Sequence, residues 1–195
     1  VNYSSNPLPG LGTATVTGNY APTTTVFTAS STAPAPRFVD NPQSATTFTI
    51  TSCQTNLLYP FVSNQAGFDT GLVVSNTSAD PYGTSPQRGP CNVYYYGATA
   101  GGGTAPATQT TGIVNEGTQL VFTLSAGGNL NMAATPGFQG YIIIRCNFQY
   151  AHGFAFVSDL GAQRLAMGYI PLILDQNMHG DGETRTGVVS ETLNQ

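Results

Sequence analysis

Apolar and polar residues alternate with a period of two along most of this chain, and Gly or Pro interrupts before any run grows long. From about residue 45 the pattern is plain, with Phe48 and Ile50 interleaved among Thr47, Thr49 and Thr51. Further strand-like runs are Leu57–Val62, Gly71–Asn76, Asn92–Gly97, Thr118–Leu124, Tyr141–Phe148, Gly153–Ser158 and Tyr169–Leu174. Turn-forming segments separate them at Asn64–Gly67, Ala79–Pro90, Gly101–Gly103, Gly127–Asn129 and Thr135–Gly137. No segment sustains apolar residues at i, i+3, i+4 and i+7, so helices are not expected. Short strands with one apolar face bury that face by packing sheet on sheet. The fold class predicted is all-β, an antiparallel Ig-like β-sandwich with an extended N-terminal arm. Pro60 and Pro171 fall inside apolar runs, which predicts an edge or a bulge at each.

The polar surface implied by this sequence is almost uncharged. There is no Lys, the basic residues are five Arg, and the formal net charge is −4. Binding nucleic acid requires clustered Lys and Arg to neutralise phosphates, and no such cluster exists. No run approaches the roughly 18 apolar residues that span a bilayer as a helix, so membrane insertion is not expected. Few surface charges also mean little long-range repulsion between copies, which favours self-association. The chain opens at Val1 without an initiator Met or an apolar leader, the form expected of a mature exported protein after signal cleavage.

Composition divides the chain into an arm, 1–36, and a single β-sandwich domain, 37–195, ending in a polar segment, 175–195. The arm holds no charged residue; Arg37 is the first. It is rich in Thr, Ser, Pro and Gly, the composition of a linker, yet Thr13–Thr17 and Thr23–Ala29 are dominated by β-branched residues suited to strands. Val16, Val26 and Phe27 lack burial within so short a segment. They are therefore candidate assembly residues, the arm acting as a donor strand at an open sheet edge in its own subunit or a neighbour.

Several residue constellations raise chemical possibilities. Cys91 shares parity with Val93 and Tyr95, and Cys146 with Ile142, Ile144 and Phe148, so both point inward and a Cys91–Cys146 disulfide is expected. Cys53, on the Thr49 and Thr51 face, is left as the odd thiol. In the tail, Asp175, Asn177, Asp181 and Glu183 have the alternate spacing of a calcium loop turning about Gly180. His179 stands where an oxygen ligand belongs and Thr186 where a bidentate Glu should close the loop, so a solvated polar turn is the competing reading. His152 and Asp159 invite a Ser–His–Asp reading, but no G-x-S-x-G elbow is present, and His152 is expected in a hairpin turn. The acids outside the tail (Asp40, Asp69, Asp80, Glu116 and Asp159) are scattered singly, without the paired carboxylates of glycoside hydrolysis. In Tyr94-Tyr95-Tyr96, alternation sends Tyr95 inward and leaves Tyr94 and Tyr96 outward, as a protein contact or a sugar-stacking surface. Asn2-Tyr3-Ser4 and Asn76-Thr77-Ser78 match the N-glycosylation pattern, so glycans are possible partners.

The block Asn56-Leu57-Leu58-Tyr59-Pro60-Phe61-Val62-Ser63-Asn64-Gln65-Ala66-Gly67-Phe68-Asp69-Thr70-Gly71 resembles one in secreted β-sandwich proteins of soil and thermal bacteria, a group with no known activity. The likeness continues through Asn76-Thr77-Ser78, Cys91, Gly137–Tyr141 and Cys146–Phe156, covering roughly residues 53–174 and leaving the arm outside. It implies export and a compact β domain. The functional expectation is a non-enzymatic subunit of an extracellular or cell-surface polymer, such as a pilus-like filament, with copies of itself as partners and no cofactor. The alternative is a monomeric secreted adhesion or carbohydrate-binding module.

Overall fold

The computed structural model describes residues 12–20, 41–50, 54–162 and 164–174. These residues contain strands and no helix: β1 (Gly12–Gly18), β2 (Gln43–Ile50), β3 (Thr55–Ser63), β4 (Asp69–Asn76), β5 (Cys91–Thr99), β6 (Gly103–Thr104), β7 (Gln109–Thr110), β8 (Gln119–Thr123), β9 (Gly127–Gly128), β10 (Phe138–Cys146), β11 (Ala151–Ser158), β12 (Ala166–Tyr169) and β13 (Leu172–Ile173). The chain forms two compact units, Val1–Ser52 and Cys53–Gln195.

In the larger unit, one sheet has the order β13-β3-β10-β5-β6, with β7 also paired to β5, and the other runs β12-β11-β4-β8-β9. All pairings are antiparallel. Period-two alternation decides which side chains face inward. From the first sheet come Leu57, Tyr59, Val62, Val93, Tyr95, Phe138, Ile142 and Ile144; from the second come Leu72, Val74, Leu120, Phe122 and Ala155. Both sets belong to one buried cluster, the arrangement of a β-sandwich.

Two local features fit the expectations for proline. Between Gly140↔Val62 and Ile142↔Tyr59 the register shifts, so Pro60 and Phe61 oppose the single residue Tyr141. Pro60, which has no N–H to donate, sits in that bulge. The run Tyr169–Leu174 does not form one strand. It breaks at Ile170–Pro171, which carries the chain from β12 in one sheet to β13 in the other.

Cys91 and Cys146 are directly opposite in the β5–β10 register and form a disulfide. Both are fully buried, as parity required. The bond lies within one sheet, unlike the bond between sheets that marks antibody domains. Cys53 lies outside the described residues.

The sheets are also bridged by tyrosine. Tyr59, from β3, reaches across the core and its hydroxyl donates to the carbonyl of Val73 at 2.9 Å. Gly153 of β11 makes this possible, because a Cβ there would stand 2.1 Å from the Tyr59 oxygen. Burial, helped by neighbouring Tyr169, holds the Tyr59 phenol far above its ordinary range. Burial also pushes Tyr95 and Tyr169 up to about 12. A phenol whose pKa is raised by folding contributes stability in full below its unfolded value, near pH 10, and loses it as pH climbs through the folded value. Denaturant midpoints should therefore be flat from pH 7 to 9 and fall steadily above pH 10. Absorbance titration should find Tyr59, Tyr95 and Tyr169 still un-ionised well above pH 10 until the protein unfolds. A midpoint unchanged to pH 12 would contradict this assignment.

The smaller unit contains a two-stranded sheet, β1 paired with β2. The division expected after residue 36 therefore falls instead after Ser52, because Gln43–Ile50 pairs with Gly12–Gly18 and not with the sandwich sheets. The physical reason is that the Phe48/Ile50 alternation calls for a partner strand without specifying which one. Thr13–Thr17, expected as a strand-like run of the arm, lies in one half of this ribbon.

Candidate functional site

The ribbon is amphipathic. Its register pairs Ala14 with Phe48 and Val16 with Ala45 on one face, and Thr13, Thr15 and Thr17 with Thr49, Thr46 and Ser44 on the other. A bulge at the Ala14/Thr15 step adds Thr47 to β2. The hydroxyl face is knit across the strands, with Thr13 and Thr49 Oγ1 atoms 3.1 Å apart and Thr17 Oγ1 2.7 Å from Ser44 Oγ. On the apolar face, Val16 is 60% and Phe48 56% exposed. Neither strand contains a charged residue or a Pro, the devices that usually blunt an open sheet edge.

The sandwich has its own exposed apolar region. A groove of about 480 Å3 is lined by Phe61, Phe68, Val157, Leu165 and Met167, with Gln139 at its side and no charged residue among the described residues of its wall. Phe61 is 44% exposed and Leu165 and Met167 each 52%. The groove runs beside β12, which among the described residues ends its sheet and pairs only with β11. The neighbouring part of β3 is closed by side chains. Tyr169 donates its hydroxyl to the Phe61 carbonyl at 2.5 Å, while Thr70 Oγ1 accepts from the Ser63 N–H and donates to its carbonyl, both at 2.9 Å.

The outward tyrosines stand where alternation placed them. Tyr95 is buried against Phe138, with ring centroids 5.3 Å apart and nearly perpendicular, whereas Tyr96 is 42% exposed. Tyr94 is half-buried. Tyr141, whose role was not read from the sequence, lies opposite Tyr96 in register, and the two rings stack at 4.8 Å and 10°. Rings stacked on each other occupy one face apiece, which leaves edges and hydroxyls for a partner more than a flat platform for sugar.

The hydrolytic constellation does not assemble. His152 is not in the turn expected for it; it faces solvent on β11, opposite Ser75. Asp159 lies past the other end of that strand, seven residues on, which is roughly 23 Å of extended chain. Asp69 accepts from Asn64, the Thr70 N–H and Ser125, knitting loops together beside the core. Asn76 is 1% exposed and its amide donates to the carbonyls of Gln87 and Val114, so this glycosylation sequon serves the fold. Every fully buried side-chain nitrogen and oxygen among the described residues has a hydrogen-bond partner. Asn2, Val26, Phe27 and the calcium candidates Asp175, Asn177, Asp181 and Glu183 lie outside the described residues.

No family model matches the chain, and no curated protein or solved structure matches it either.

Proposed function

We propose that the protein is a non-enzymatic structural subunit of an extracellular, pilus-like polymer, an Ig-like sandwich that assembles through strand addition by its N-terminal region. The observation that carries this reading is the ribbon, with an exposed apolar face and no charge in either strand. An isolated two-stranded sheet is marginal in water and gains stability by pairing its edge and burying its face. A surface with a net charge of only −4 and no Lys opposes such contact weakly. The disulfide is consistent with an oxidising, extracellular setting.

The test is assembly itself. Sedimentation velocity over a wide concentration range should show mass growing beyond the monomer, and electron microscopy of the associated fraction should show threads of uniform width. A single monomeric species at every concentration, with isolated particles on the grid, would refute the polymer and leave the adhesion-module reading.

A further inference from the structure

We propose that the β1–β2 ribbon of one copy docks on the free edge of β12 in the next, with Val16 and Phe48 filling the groove beside it. This inference rests on the polymer reading and names its two surfaces. The occupant is a second copy because the two surfaces are complementary in kind. The ribbon strands offer an apolar face without charge, and the described residues of the groove offer an apolar wall without charge.

Edge length selects β12. The other strands ending or flanking the sandwich sheets, β6, β7, β9 and β13, have two residues each, too short to template a partner. β12 has four, contains no Pro, and among the described residues is paired on one side only. β1 and β2, at seven and eight residues, each span the full length of β12 with residues to spare. Adding the ribbon extends the β12-β11-β4-β8-β9 sheet, and alternation then places every second ribbon side chain over the groove. Apolar residues at i and i+2, Ala14 and Val16, have this spacing, with Phe48 across the ribbon beside them. Burying Val16, Phe48, Leu165 and Met167 together removes four half-exposed apolar side chains from water, which favours the contact. Ribbon and groove are different surfaces, so the contact is heterologous and each bound copy presents a free groove or a free ribbon to the next.

The full-length chain tests this with two double variants at exposed positions: V16K/F48K on the ribbon and L165K/M167K on the groove. Circular dichroism and thermal melting of each should match the parent, since all four side chains face solvent. Alone, each variant should remain monomeric where the parent polymerises. Mixed in equal amounts, they should form a one-to-one heterodimer and stop, because only one intact ribbon and one intact groove remain. Variants that polymerise like the parent would overturn the docking scheme while leaving the polymer reading standing. A parent that stays monomeric throughout would overturn both. Monomeric variants that fail to form the heterodimer would overturn the head-to-tail pairing.

Discussion

A chain lacking residues 1–52 should sediment as a single folded monomer at every concentration at which the full chain associates. The core explains the first half of this expectation. Every hydrophobic residue buried in the described structure lies between Leu57 and Val157, and none belongs to the ribbon. Removing residues 1–52 therefore takes away none of these core residues, and the melting temperature should stay within about 5 °C of the parent. The second half follows from the proposed contact, which loses its donor outright. The expected change in association is an end to polymer growth, well beyond a weakened affinity. Adding the separated ribbon segment in trans should not restore growth, since a segment carrying no groove can only cap. A truncated chain that still polymerises would show that assembly uses the outer faces of the sandwich, with the Tyr96–Tyr141 stack as the next surface to mutate.

Replacing both half-cystines, C91A/C146A, should produce a large loss of stability. The bond joins residues separated by 55 positions, a loop whose closure contributes about 4 kcal/mol in the chain-entropy model. Both sulfurs are fully buried at the start of β5 and the end of β10, so their loss also leaves a small void in the cluster. For a domain of this size the melting temperature should fall by on the order of 10 °C. The parent treated with reductant under mild denaturation should approach the same value. An unchanged melting temperature would show that the bond does not stabilise the fold by restraining the unfolded chain. The variant also isolates Cys53, whose reactivity can then be followed without competing thiols.

The period-two pattern predicted most of the strands, because side-chain alternation is a local consequence of extended backbone geometry. It placed Tyr95 in the core with Tyr94 and Tyr96 outside, and it aligned Cys91 and Cys146 as inward residues. The candidate site was legible only in part. Val16 and Phe48 stood out as apolar residues on strand-like runs, but their union on one ribbon face depended on which strands pair. The same is true of the groove, whose walls come from residues as distant as Phe61 and Met167.

Pairing is where local information ends. The Gln43–Ile50 strand carries an amphipathic pattern that any open edge could satisfy, and only the competition among edges in three dimensions assigned it to β1. Likewise, Tyr169–Leu174 reads as one apolar run, whereas the need to cover two different sheets splits it at Pro171. The sequence by itself therefore determined which segments extend and which side chains turn inward, since both depend on neighbouring residues along the chain. Tertiary structure alone decided the partners, the shared core and the open surfaces, because these depend on edges and faces brought together from distant positions.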